Sequence, residues 1–412
     1  MRLRVRDWRL PALSGAAFLF ARLSTGRLPY FLFYVITGIL LLSLLWTWRI
    51  LRGLTLRLQP ARDRLEVGED LDVLLEVNNR SLFPVPWLEV DDASASSLVH
   101  NPVPRQGTSL SPGDLEAIQW TVQARRRGHY RIGPVRVVAG DPFGLFQGER
   151  EVCSDQWVTV YPRIRPVEGF PVPLSQPYGP FRTRRQAFSD PAGLAGLRPY
   201  RPGDNPRHIH WKSSAHTGTL MLREFDPNAG TRVLLFPDLA AASYRRTAAE
   251  ETVETVVEVT ASLAAFCLHR QMECHLIAHA QERFETLPGR GKRALHDILE
   301  VLARVEAEGN LPMEKVLELE TARLTGRCSI TVISPLLVPR LADVLIELQR
   351  RHAVMLVLVQ SGVAPKAAPE ESRELARLLA ASGVHVYLLP DRDAIPRLAD
   401  HRLTVVPEVE SR

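Results

Sequence analysis

At 412 residues, with 45% hydrophobic and 24% charged residues, the chain has ordinary globular composition and room for two or three domains, which excludes a fibrous or wholly disordered class. The net charge of +5 is unevenly placed: residues 1–62 hold ten arginines and one acid, Asp7. The rest is therefore net negative, and nucleic acid is not an expected partner. Cys153, Cys267, Cys274 and Cys328 form no CxxC pair and no metal-ligand spacing, so they read as free, mostly buried thiols.

Taken in chain order, the first element is apolar. Leu28 to Trp48 carries no charge and has aromatic residues at both ends. A bilayer core needs roughly 20 such residues, so the stretch predicts a membrane helix, and nothing resembling a small-residue cleavage site follows it. Upstream, Leu10 to Leu23 is apolar but short. It is either the first arm of a helical hairpin or a segment lying in the membrane interface. Arg2, Arg4, Arg6 and Arg9 hold the N-terminus inside, while Arg49, Arg52 and Arg57 pull the other end inside as well. A hairpin satisfies both and keeps the soluble bulk in the cytoplasm; a single span would export it.

Residues 54–165 read as short strands: Leu54 to Leu58, Leu71 to Val77, Trp87 to Val90, Leu115 to Val122, Val135 to Val138 and Val158 to Tyr161. Several alternate apolar with polar residues and are separated by Asn, Pro and Gly turns. The expectation is an all-β sandwich of immunoglobulin-like size, with no cysteine pair of the antibody type. Residues 166–230 read as a linker. After Thr231 the period changes. Arg232 to Phe236, Cys274 to Ala278, Ser329 to Ile333, Val354 to Val359 and Val384 to Leu389 are short continuous apolar runs. Amphipathic helices lie between them at Ala248 to His269, Lys292 to Glu306, Arg340 to Arg350 and Glu370 to Ala381. Thr247 with Glu250 makes a capping box, Pro339 and Pro369 stand at first-turn positions, and Gly383 follows the last helix. Residues 231–412 thus predict a doubly wound α/β domain, whose ligands bind beyond the carboxyl ends of the strands.

Leu197 to Phe225, LRPYRPGDNPRHIHWKSSAHTGTLMLREF, holds the densest chemistry. His208 and His210 share a face if extended, with Asp204 near, which suits a metal ion or a general base. A catalytic zinc wants three protein ligands and nothing marks the third, so the simpler reading has these side chains flanking a buried Ile209 and Trp211. Asp204 most simply caps its own turn. Ser213 and Ser214 lack a nucleophile elbow, and Gly289 and Gly291 lack phosphate-loop spacing. No complete catalytic set is found and no cofactor is expected. Prolines, glycines and Ile209, Trp211 and Leu220 instead predict a clamp that latches the post-sandwich segment onto the α/β domain.

The stretch resembles the bacterial family called domain of unknown function 58. The resemblance rests on Arg126-Arg127-Gly128-His129-Tyr130 through Gly133-Pro134-Val135 to Asp141-Pro142-Phe143-Gly144-Leu145, on Val160-Tyr161-Pro162-Arg163, and on Tyr200, Pro202, Gly203, Asp204, Arg207, Ile209, Trp211, Lys212, Ala215 and Leu220. It implies a membrane hairpin (residues 1–53 here), a β-sandwich and a von Willebrand factor A-like α/β domain. In that fold the first strand ends in D-x-S-x-S, which helps hold a divalent cation. Here Asp238 is followed by Ala240 and Ala242, so the metal site is degenerate, since alanine offers no oxygen. The resemblance further implies a non-enzymatic, membrane-anchored adaptor working with a MoxR-type AAA+ ATPase. The alternatives are an enzyme using Asp204, His208 or His210, and a binder of nucleic acid or anionic lipid through the arginines of residues 181–246.

Overall fold

The computed structural model describes residues 2–5, 8–23, 27–92, 106–172, 194–201, 206, 209–225, 232–245, 249–324, 326–360 and 370–403. The chain divides into two compact units, residues 1–161 and 162–412.

The first unit runs β1 (Arg2–Val5), α1 (Arg9–Leu23), α2 (Arg27–Gly53), β2 (Leu54–Pro60), β3 (Arg64–Glu66), β4 (Asp70–Asn79), β5 (Val85–Asp92), β6 (Gln106–Leu110), β7 (Leu115–Gln123), β8 (Gly128–Arg131), β9 (Val135–Gly140), β10 (Phe146–Val152) and β11 (Trp157–Tyr161). Its sheets are ordered β1-β10-β9-β5-β6, β2-β4-β7 and β3-β11-β8. Alternation decides the inward faces: β4 buries Leu71, Val73, Leu75 and Val77, and β7 buries Ile118, Trp120 and Val122. The polar strands β8 and β10 were not anticipated from sequence. GHYR and FQGEREV lack apolar alternation and are strands because of their partners, β11 and β9.

The apolar helix extends to Gly53, and residues Arg27–Gly53 are long and apolar enough to cross a membrane. α1 packs antiparallel on it: Ser14 and Thr37 hydroxyls are 3.0 Å apart, and the Phe18 and Phe33 ring centroids 5.1 Å apart. Both ends of this hairpin are held by the same unit. β1 pairs with β10 from Arg2↔Glu149 to Val5↔Phe146, and α2 leads directly into β2. Ser43, Thr47, Ile50 and Leu51, on one face of α2, are buried. Leu51 fills space that only a glycine at 148 leaves, because a Cβ there would come within 2.0 Å of Leu51 Cδ1. The Arg150 guanidinium donates to the carbonyls of Leu51 (3.2 Å) and Leu54. A cation there satisfies acceptors that a helix C-terminus leaves open.

The second unit contains β12 (Leu194–Pro199), α3 (Trp211–Thr217), β13 (Met221–Phe225), β14 (Arg232–Pro237), α4 (Ala249–His269), β15 (Glu273–His279), β16 (Arg283–Glu285), α5 (Gly291–Arg304), α6 (Met313–Thr321), β17 (Ser329–Ser334), α7 (Pro339–Gln349), β18 (Ala353–Val359), α8 (Glu370–Ala381) and β19 (His385–Leu389). Its main sheet is ordered β16-β15-β14-β17-β18-β19, parallel except for the edge strand β16. Helix cover on a parallel sheet explains why β17 is buried at every residue. α4 is apolar enough to resemble a membrane span but is mostly buried, a core helix. All five expected strands are present, and the four expected helices begin and end within two residues of their anticipated limits. Pro339 opens α7 and Gly383, at φ +88°, follows α8. Thr247 and Pro369 lie outside the described residues. β16 and the nine-residue α6 were not anticipated, and neither were β12, α3 and β13, which lie in the stretch read as a linker.

The segment after β11 is tied to the α/β unit. Arg165 Nε donates to Glu258 on α4 (3.2 Å) and its Nη1 to Asp393 (3.0 Å). Glu168 N donates to the Pro396 carbonyl at 2.9 Å. Phe170, 1% exposed, packs edge-on to Phe266 and beside Tyr387.

Candidate functional site

Three polar constellations in the second unit are candidates. In the signature stretch, β12 and β13 form a two-stranded antiparallel ribbon, with Arg198 opposite Leu222 and Pro199 opposite Met221. Tyr200 extends it by donating its N–H to Leu220 O at 2.8 Å. Ile209 bridges to Leu222, and both are buried. His210 caps α3: its Nδ1 accepts from Ser213 N at 3.1 Å, which leaves any ring proton on Nε2. Ser214, missed as a structural residue in the sequence, is the pin of the turn. Its hydroxyl donates to His210 O (3.0 Å) and accepts from Met221 N (2.8 Å). Gly218 ends the helix at φ +70°.

The clamp expectation is corrected here. Trp211 is 68% exposed and Leu220 45% exposed. α3 begins at Trp211, and the inward positions go to Ile209 and Ser214, so the indole points to solvent, as does Lys212. The latch onto the α/β unit is made by Arg165 and Phe170 instead. Gly203, Asp204, Arg207 and His208 lie outside the described residues.

The second constellation stands at the carboxyl end of β14, between strands whose connections run in opposite directions, the usual ligand position of such sheets. Asp238, 1% exposed, accepts from Ser334 Oγ at 2.7 Å and from Ala240 N at 3.1 Å. Tyr244 donates to the Asp238 carbonyl. Burial pushes the Asp238 carboxyl above the ordinary aspartate range; hydrogen bonds from Ser334, Ala240 and Ser243 oppose this, and nearby Glu314 adds to it. Ser334 also lies 2.8 Å from Leu336 O. One hydroxyl has one proton, so a protonated Asp238 donating to Ser334 lets Ser334 donate to Leu336. These residues do not fit a divalent cation: Ala240 and Ala242 supply no side-chain oxygen, and the carboxyl group is closed over by hydrogen-bond donors.

The third was not seen in the sequence. Glu320 of α6, 3% exposed, receives Arg283 through Nε (2.7 Å) and Nη2 (2.8 Å), and lies 2.9 Å from His279 Nε2. Arg283 continues to Glu285, whose Oε1 is 3.1 Å from His275 Nε2. That last contact is poorly aligned, since the His275 nitrogen makes no hydrogen bond. Arg283, and secondarily His279, hold Glu320 down to about 2 against the penalty of burial. Burial holds His275 below its usual value despite Glu285. Only a strand-to-helix contact 37 residues apart brings Arg283 to Glu320, and periodicity carries no signal of that range. A pocket of about 630 Å³ opens nearby, lined by Gln281, Glu282, Phe284, Arg304, Glu306 and Glu308.

The second unit is thus a parallel-rich α/β unit with a closed polar corner at its switch point and a rigid ribbon-and-helix motif beside it in sequence. Residues 196–365 match the family described as protein of unknown function DUF58. It is similar to an uncharacterized protein, YeaD, of Bacillus subtilis (strain 168), at 25% identity over 268 residues, 63% of this chain. The chain spans 65% of the length of that curated relative. Solved structures with partial likeness include the CARDB domain of PF1109 from Pyrococcus furiosus in complex with di-metal ions (17% identity, 26% of this chain, 91% of that chain, TM-score 0.20). Another is a β-glucosidase from Listeria innocua (15% identity, 26% of this chain, 16% of that chain, TM-score 0.15). Scores this low carry no argument about fold or function.

Proposed function

We propose that the protein is a membrane-anchored, non-enzymatic adaptor whose α/β unit docks a partner of the MoxR-type AAA+ ATPase class. The observation that carries this reading is the signature motif itself. His210, Ser214 and Gly218 hold its shape, while Trp211 and Lys212 are presented to solvent. Exposed tryptophan on a rigid support is a recurrent anchor of protein interfaces. The strand order, with one antiparallel edge strand and Asp238 closing the first strand, supports a von Willebrand factor A-like reading of the second unit. The sheets around one core in the first support an immunoglobulin-like sandwich.

The anchor is the α1–α2 hairpin. That β1 and β2 belong to one unit supports a hairpin with both ends on one side of the bilayer. Arg2, Arg4, Arg6, Arg9, Arg49, Arg52 and Arg57 flank those ends, against Arg22 and Arg27 near the tip. By the positive-inside rule this charge pattern supports a cytoplasmic location for the soluble bulk of the chain. Affinity purification of the detergent-extracted full chain tests the proposal. The expected result is recovery of an AAA+ ATPase with the native chain and its loss with Trp211→Ala/Lys212→Ala. Repeated recovery without an ATPase, from cells that make one, sinks it.

A further inference from the structure

We infer that the first unit is itself a membrane-contacting body: Phe143 and Leu82, on two loops beside α2, enter the lipid interface next to the hairpin. This rests on the membrane-anchor reading and goes beyond it, because it assigns a lipid-binding surface to the sheet-bearing part of the chain.

The level of each loop along α2 is set by hydrogen bonds. Asp141 Oδ2 accepts both from Ser43 Oγ (2.9 Å) and from Phe143 N (2.8 Å), so one oxygen ties the Phe143 backbone to α2 at Ser43. Ser43 lies five residues before Trp48, the end of the uncharged stretch, which is about 7.5 Å inside it along a helix. Around it Leu41, Leu42, Leu44 and Leu45 are exposed. Lipid that covers those leucines reaches Phe143, whose side chain is 57% exposed. The second loop runs along the helix as well. Arg80 N donates to Gly53 O at 2.9 Å, and Trp46 Nε1 donates to Pro84 O at 3.2 Å with its ring 4.7 Å from Phe83. Leu82, 81% exposed, therefore sits beside the turn from Trp46 to Arg49.

A single exposed apolar side chain on a soluble surface needs no explanation. Two on adjacent loops, at the depth where a membrane helix leaves the bilayer, share its solvent. The neighbouring residues have interfacial chemistry. Trp8 (73% exposed) opens α1 at the same end of the antiparallel hairpin, and Trp46 and Trp48 lie on α2, the latter under the Arg52 guanidinium at 4.0 Å. Arg49, Arg52 and Arg80 are exposed, placed to meet anionic headgroups. The buried Asp141–Ser43 bond has a role in this arrangement, since it fixes the depth of the Phe143 loop against a helix that is otherwise lipid-facing.

The test is collision-accessibility electron paramagnetic resonance on the full chain in phosphatidylcholine/phosphatidylglycerol vesicles. Single nitroxide labels are placed at Phe143→Cys, Leu82→Cys, Leu41→Cys and Gln123→Cys in a Cys153→Ser background. The remaining cysteines are buried, with burial raising Cys267 to about 12, Cys328 to about 11 and Cys274 well above its usual value, so they do not label. Gln123 is the aqueous reference: it pairs with Asp70 at the end of β4 farthest from α2. The expected result is an oxygen-to-nickel accessibility ratio at 143 and 82 shifted from that of Gln123 toward that of Leu41, with 143 the deeper. If Leu41 is lipid-accessible while both loop labels match Gln123, the inference is overturned and the anchor stands. Shielding of both loop labels from oxygen and nickel alike indicates a protein contact and also overturns it. A water-exposed Leu41 label removes the anchor reading and this inference together.

Discussion

Asp141 and Asp238 solve the same local problem in the two units, and the difference between them is instructive. Each follows the last residue of a strand, β9 or β14, and each is at most 1% exposed. Each accepts a backbone N–H from two residues ahead. Each also receives a serine hydroxyl from almost a hundred residues away, Ser43 or Ser334. The donors differ. Asp141 faces two backbone N–H groups, from Phe143 and Phe146 (2.8 and 2.7 Å), on opposite carboxyl oxygens, and an N–H cannot become an acceptor. Asp238 accepts a backbone N–H, from Ala240, on Oδ1 alone, and its Oδ2 faces the Ser334 hydroxyl, which can reverse. Its site accommodates a neutral, proton-bearing group, while the Asp141 site demands an acceptor on both sides. The first device fastens α2 to the loop after β9; the second seals a strand end within the sheet.

Replacing each aspartate by its amide isostere sharpens that contrast most directly. Asp141→Asn turns an NH₂ group against an N–H donor in a buried site, so a loss of about 2–4 kcal/mol is expected. Denaturant unfolding in detergent, followed by near-ultraviolet circular dichroism, measures it. Glu320→Gln is the next largest, at about 2 kcal/mol near neutral pH, because the bidentate Arg283 contact is lost. Its pH dependence has a defined sign. The folded-state value, about 2, lies below the ordinary 4.5, so the stabilisation is complete above 4.5 and is lost as pH falls from there toward 2. Wild-type and Glu320→Gln stabilities should converge across that window.

Asp238→Asn is expected to cost less than about 1 kcal/mol at neutral pH, since the amide can donate to Ser334, which then donates to Leu336. Here the sign is opposite. Burial raises the folded-state value above 3.8, so the native state holds a proton that the unfolded chain releases, and stability falls as pH rises from 3.8 through the raised value. Wild type should therefore gain on Asp238→Asn with acidification. An Asp238→Asn penalty equal to that of Asp141→Asn, independent of pH, would erase the distinction. The smallest effect belongs to Trp211→Ala, within about 0.5 kcal/mol because the ring is exposed; thermal unfolding measures the stability. A loss several times larger would return Trp211 to a buried role.

Much of the element list was legible. Alternation in Leu71, Val73, Leu75 and Val77 and the continuous runs of β14, β17 and β18 place strands correctly, because burial of one or both faces repeats along the chain itself. Pro339 and Gly383 mark helix ends for reasons local to their backbones. The candidate site was less legible. Asp238 stood out by its position after an apolar run, yet Ser334 and Glu314, which help set its protonation, come from β17 and α6. In the signature stretch, residue types suggested burial for Trp211. Which of Ile209 and Trp211 turned inward depended on where α3 began, and that start follows from the His210–Ser213 bond and from Ser214 reaching Met221.

The sequence alone determined that an uncharged helix of membrane length precedes a strand-rich half and an α/β half, since length, charge and period are properties of contiguous residues. Tertiary structure decided the rest. It paired Arg2–Val5 with β10 and so brought both ends of the hairpin to one side. It also moved the latch on the α/β unit from Trp211 to Arg165 and Phe170, and aimed Ser43 at Asp141. Those partners lie 93 to 217 residues apart for Arg165–Glu258 and Phe170–Tyr387, and 98 apart for Ser43–Asp141. Over such separations only the folded packing, not any local preference, selects which polar groups meet.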